Sequence, residues 1–217
     1  MSLRPLLVTI LLFVDSLAAA TDLKPVHVAM IFDDGPDPVQ TPRLLALFAE
    51  EQVHVTFGTV GKHAEAHPEL IKAAVAAGHE VANHSYSHQN PKGLADATLE
   101  NEILGGEATI AKAAGVAPTW YWPPFILIDD RVRADTAKAG IRIYTPRKLA
   151  VSGDYMKEVA ADEIFRRATT GIEDGTVILF HEWRADTETE LKAIIGELRK
   201  QGCVFLTFSE MDKYLAQ

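Results

Sequence analysis

Val26-His27-Val28-Ala29-Met30-Ile31-Phe32-Asp33-Asp34-Gly35-Pro36 is an apolar run that stops abruptly in two adjacent carboxylates and a Gly-Pro turn. Bounded by Pro25 and Gly35, the run reads as a buried strand. Like charges at neighbouring positions raise each other's pKa unless something positive relieves them, so the acid pair asks for a cationic partner. A divalent metal answers that need, and His84-Ser85-Tyr86-Ser87-His88 supplies two imidazoles four residues apart. On a helical turn, or a loop coiled like one, both rings face the same way. Two histidines and one carboxylate leave a coordination position for water, which marks a catalytic rather than a closed structural site.

The pattern of the first strand recurs along the chain. Apolar strands are expected at 53–57, 80–83, 119–122, 141–144, 176–180 and 204–207. Between them lie helical stretches: one starting at a Thr41 cap and Pro42, then 68–77, a long one from a cap at Asp96 through Ile110, 129–139, 162–168, 187–201 and 210–215. Gly105-Gly106 is expected to weaken or bend the long helix. Strands buried on both faces that alternate with helices make a parallel α/β fold. The candidate residues sit at or just past the C-terminal ends of strands, where such folds carry their sites. Periodicity alone leaves a closed barrel and an open sheet equally open.

With 217 residues, 47% of them hydrophobic and 24% charged, the chain has the make-up of one globular domain. A net charge of -9 argues against nucleic acid and anionic lipid as partners and favours a neutral or cationic substrate. Arg4, the apolar run from Leu6 to Val14 and Ala18-Ala19-Ala20 form a signal-peptide pattern over 1–20. Cleavage near Ala20 would leave a domain of 21–217 that is secreted or periplasmic. The run is too short for a stable membrane span. Cys203, the sole cysteine, offers no intrachain disulfide, and its apolar neighbours make it a buried, inert thiol.

Three stretches, Phe32-Asp33-Asp34-Gly35-Pro36, His84-Ser85-x-x-His88 and Ile178-Leu179-Phe180-His181, resemble the polysaccharide deacetylases. These form carbohydrate esterase family 4, the rhizobial chitooligosaccharide deacetylase type. The resemblance covers nearly all of the chain after the leader and implies a single distorted (β/α) barrel of about seven parallel strands. It implies Asp34, His84 and His88 as metal ligands, Asp33 as general base and His181 as the acid that protonates the leaving group. The backbone N–H of Phe125 would polarise the acetyl carbonyl, and Leu179 would line the pocket for the acetyl methyl. The ligand set suits zinc, with cobalt or manganese as alternatives. The implied substrate is an acetylated glycan, with N-acetylglucosamine polymers such as chitin oligomers or peptidoglycan ahead of O-acetylated xylan.

The chain also departs from the family. Where the family has Arg-Pro-Pro-Tyr, this sequence reads Trp122-Pro123-Pro124-Phe125, so the arginine that pairs with the base is missing. Arg142, Arg147 and Arg184 are the cations that would compensate, leaving Trp122 as a sugar-stacking wall beside Pro123. Asp154-Tyr155 is the nearest match to the family's acidic fourth block; both are assigned to substrate binding, and the support of His181 is left open. Trp122, Tyr155 and Trp183 are the candidate sugar platforms. Two other readings follow from the missing arginine: a glycan- or metal-binding module with impaired chemistry, or hydrolysis of a non-carbohydrate amide or cyclic imide.

Overall fold

The computed structural model describes residues 24–217, and of residues 185–189 the backbone alone. The signal peptide expected over 1–20 lies outside the described residues. The elements run β1 (Val26–Gly35), α1 (Gln40–Glu51), β2 (Thr56–Thr59), α2 (Gly61–Ala66), α3 (Pro68–Ala76), β3 (Glu80–Asn83), α4 (Asp96–Ala114) and β4 (Trp120–Tyr121). They continue as α5 (Asp130–Ala139), β5 (Arg142–Ile143), β6 (Lys148–Val151), α6 (Ala161–Thr169), β7 (Thr176–His181), α7 (Ala185–Lys200), β8 (Cys203–Phe205) and α8 (Phe208–Leu215). All pairings are parallel, in the order β5-β4-β3-β2-β1-β7-β6. The seven strands curl into a half-barrel with helices around it, the distorted (β/α) barrel that the family resemblance implied. β8 takes the edge of β1 opposite β7, since Val28 pairs with both Phe205 and Thr176.

Side-chain alternation in β1 divides the core and so places the site. Val28, Met30 and Phe32 pack outward under the helices, where Phe32 meets Phe48, Phe57 and Phe180 at ring distances of 5.1, 6.2 and 5.2 Å. Such pairs add about 0.5–1.5 kcal/mol each beyond their buried area. Ala29 and Ile31 face the barrel interior with Val177, Leu179, Trp120, Trp122 and Phe208. Continuing each alternation by two residues puts Asp33 and His181 on the same inner face, and the two are register partners across β1 and β7.

Three local expectations change. The cap of α1 is not Thr41: Asp37 accepts from the N–H groups of Val39 and Gln40, while Thr41 Oγ1 accepts from Asp37 N–H. Asp96 is the first residue of α4 rather than its cap. Nor does α4 break at Gly105-Gly106; it runs unbroken from Asp96 to Ala114. A Cβ on Gly106 would lie 2.7 Å from Asn83 Oδ1 and 2.9 Å from the Ser85 carbonyl carbon, so that glycine lets the loop after β3 lie directly on the helix.

Candidate active site

In a regular strand two consecutive side chains point to opposite faces. Here Asp34 has φ 72°, and the β1–β2 register shifts between Asp33 and Gly35. The break lets both carboxylates line one cleft of about 440 Å³. The reversed backbone is held by His63, whose Nδ1 donates to the Asp34 carbonyl at 2.8 Å.

The two imidazoles arrive on a loop that also leaves the ordinary backbone regions, with φ 67° at Ser85 and 58° at His88. Conformations of that kind cost about 1–3 kcal/mol each and persist where the surroundings over-determine them. Asn83 Nδ2 donates to the Ile103 carbonyl at 2.9 Å, and its Oδ1 accepts from Ser85 N–H. Ser85 Oγ accepts from His88 N–H at 2.9 Å. The buried Glu102 carboxylate accepts from Ser87 N–H and Oγ at 2.7 and 2.6 Å, and its carbonyl from Tyr86 N–H.

His84 Nδ1 donates to the Trp122 carbonyl at 2.5 Å, which leaves the Nε2 lone pair facing the acids. Burial lowers the His84 pKa to about 4 and also lowers that of His88, so both rings are neutral and able to ligate. Nε2 of His88 and of His84 lie 3.3 and 3.8 Å from Asp34 Oδ1. That oxygen is buried with no hydrogen-bond partner among the described residues. One donor atom from each of Asp34, His84 and His88 falls within a 4.8 Å span of the others. An orphaned carboxylate oxygen facing two imidazole lone pairs fits a divalent metal.

Trp122 is fully buried and presents no face to a sugar, so the stacking role is corrected. Its Nε1 instead donates to Asp33 Oδ2 at 2.9 Å. Pro123 is buried as well and does not line the cleft. None of the three arginines stands in for the missing one: the groups that bear on Asp33 include His181, Trp122, Asp34, His88 and, at 3.6 Å, His84, and no arginine is among them. Arg142 lies over Trp120 and pairs with Asp212, and Arg184 donates to the Met156 carbonyl. Burial raises the Asp33 pKa to about 8, against the lowering effects of His181 and the indole N–H; a nearby dication would draw it back down.

Asp154 is likewise not a substrate contact. It is fully buried, and its carboxylate accepts from the His181 backbone N–H at 2.7 Å and from Nδ1 at 2.8 Å. Burial alone would lower the His181 pKa, but Asp154 and the two active-site aspartates outweigh it and leave the ring above the ordinary value. Leu179, Tyr155, Phe125, Ile126 and Val151 line the cleft. Tyr155 and Phe125 are exposed, and the Phe125 ring lies 4.9 Å from that of His88.

Two supports carried little local signal. Glu182 is buried under the acid turn: its N–H donates to the Asp33 carbonyl at 2.9 Å, and its carboxylate accepts from Thr41 Oγ1. A Cβ on Gly35 would collide with that carboxylate, so any larger residue there would have to displace the Glu182 side chain. Trp183, an anticipated platform, donates from Nε1 to Asp34 Oδ2 at 2.8 Å. The bracing role of Glu102 and Gly106 carried no local signal either, because it is set by how α4 lies against the histidine loop.

Comparison with known proteins gives consistent findings. Residues 20–144 match the family model described as polysaccharide deacetylase. A peptidoglycan-N-acetylglucosamine deacetylase of Bacillus cereus is 32% identical over 196 residues, covering 86% of this chain and 88% of its own. A chitooligosaccharide deacetylase of Sinorhizobium fredii is 32% identical over 160 residues, covering 71% of each. Among solved structures, a family 4 acetyl xylan esterase from Clostridium thermocellum in complex with a cobalt ion superposes with a TM-score of 0.80 at 27% identity, covering 88% of this chain and 92% of its own.

Proposed function

Because the chain belongs to the polysaccharide deacetylase family of hydrolytic enzymes, we propose that it removes acetyl groups from an N-acetylglucosamine-containing glycan, a chitin oligomer or peptidoglycan, by a metal-dependent reaction. The observation that carries this reading is the placing of Asp34, His84 and His88 donor atoms within 4.8 Å of one another, beside Asp33 and opposite His181 in one cleft. Zinc suits the donor set, and cobalt or manganese are the alternatives. When bound, such a metal supplies Lewis acidity that activates a water and polarises the acetyl carbonyl.

The chain's own residues do the rest. Asp33, oriented by the indole N–H that Trp122 donates to its Oδ2, takes the proton of the attacking water. The Phe125 N–H donates to the carbonyl oxygen as charge develops there. Leu179 accommodates the acetyl methyl. His181, its Nδ1 committed to Asp154, delivers a proton from Nε2 to the sugar nitrogen as the C–N bond breaks, so that amide and water become acetate and amine. The Trp122 contact supplies the orientation whose loss with the arginine suggested an impaired binding module, and so favours an active enzyme. The leader pattern over 1–20 supports export, which would bring the enzyme to an extracytoplasmic glycan.

Acetate release tests the proposal. Acetylated chitooligosaccharide or peptidoglycan should release acetate faster than acetylxylan, a chelator should abolish release, and added zinc or cobalt should restore it. Release that survives thorough metal removal would contradict the reading.

A further inference from the structure

Of the seven large apolar side chains that stand exposed among the described residues, four, Phe125, Ile126, Tyr155 and Trp183, border the catalytic cleft. Trp183 alone of these four also touches an acid of the site. Its ring is 44% exposed and forms a wall shared by the catalytic cleft and a second cleft of about 450 Å³. Its Nε1 donates to Asp34 Oδ2 at 2.8 Å, while Asp34 Oδ1 faces His88 and His84 without a hydrogen-bond partner among the described residues. The two oxygens of one carboxylate are thus assigned to different tasks.

That division has a chemical consequence. A carboxylate free to turn about its Cβ–Cγ bond can offer a cation one oxygen or both, and chelation by both fills a position that water or substrate needs. Indole N–H is a neutral donor with no acceptor capacity, so it ties down one oxygen without ligating or carrying charge itself. We propose that Trp183 is a positioning residue that holds Asp34 as a one-oxygen ligand, its N–H reserving Oδ2 so that only Oδ1 meets the metal. The inference rests on the metal site proposed above. It also gives the side chain two separable functions: the N–H acts on Asp34, and the ring face acts on whatever occupies the clefts.

Trp183→Phe separates them, since it keeps a ring and removes the donor at a half-exposed position where folding is not at stake. Zinc affinity, measured by competition with a chromogenic chelator, should fall by about tenfold, the lower end of the effect of removing a partner of a ligand. The visible spectrum of the cobalt-loaded protein should weaken as the coordination number rises. KM for acetylated chitooligosaccharide should change by less than about twofold, whereas Trp183→Ala should lose zinc affinity equally and raise KM as well. Native zinc affinity together with a native cobalt spectrum in Trp183→Phe would overturn the inference while leaving the metal site standing. A native protein that takes up no dication would overturn both.

Discussion

Trp122 donates its indole N–H to Asp33 Oδ2 at 2.9 Å, and neither group is open to solvent. A neutral donor therefore occupies the place of the family's guanidinium, and what it supplies is direction rather than charge. The Trp122 carbonyl meanwhile accepts from His84 Nδ1, so one residue aligns both the proposed base and a proposed ligand.

Trp122→Phe should accordingly lower kcat by about 10- to 100-fold, the cost of a hydrogen bond to a charged group, with KM within about twofold and bound zinc retained. Steady-state kinetics with metal analysis checks this. A large rise in KM with unchanged kcat would return Trp122 to the role of a sugar contact.

Asp154 holds His181 above the ordinary imidazole pKa, against the lowering effect of burial. Asp154→Asn removes the opposing charge, so the His181 pKa should fall and the acid form should be lost at lower pH. The alkaline limb of the kcat–pH profile should move toward acid, with turnover at pH 8 down by about tenfold or more. An alkaline limb that stays in place would separate His181 from the acid role.

Burial raises the Glu182 pKa from 4.5 to about 8. The unfolded chain releases this proton near pH 4.5 and the folded chain keeps it until near 8, so stability declines as pH rises through that window, by about 1.4 kcal/mol per unit for one proton. Glu182→Gln cannot ionise and should lose this slope. Thermal melts should show the variant gaining on the native protein steadily from pH 5 to 8, and parallel melting curves would refute the assignment.

The sequence made some of this legible and hid the rest for identifiable reasons. β1 could be read because its apolar run is unbroken, and β3 ends where expected because Asn83 precedes the histidine loop. β6 escaped because Lys148–Val151 is a short, half-buried strand at the end of the sheet, with only the three apolar residues Leu149-Ala150-Val151 to announce it. α2 escaped because six residues beginning at Gly61 carry too little periodicity. Among the site residues, the acid and imidazole pairs are adjacent or four apart, so local spacing reveals them. The partners of Asp33 and His181 lie 89 and 27 residues away, and only the closing of the sheet brings them together.

Gly106 makes a sharper test of that packing than any charged residue. Gly106→Ala would set a methyl 2.7 Å from Asn83 Oδ1 and 3.0 Å from Tyr86 N, against the histidine loop. Overpacking of this kind costs about 1–3 kcal/mol. Calorimetric unfolding should show that loss, and zinc affinity should fall with it as His84 and His88 shift. A variant with native stability and affinity would mean that the loop is not braced by α4.

Division of labour between two adjacent aspartates is the central claim, and Asp33→Asn tests it most directly. Bound zinc and acetate release should be measured on the same preparation. Zinc should stay near one ion per chain, as three ligands remain, while kcat falls by roughly 100-fold or more, the contribution of a positioned base. Loss of zinc from Asp33→Asn, or turnover close to native, would contradict the assignment of Asp33 as base and Asp34 as ligand.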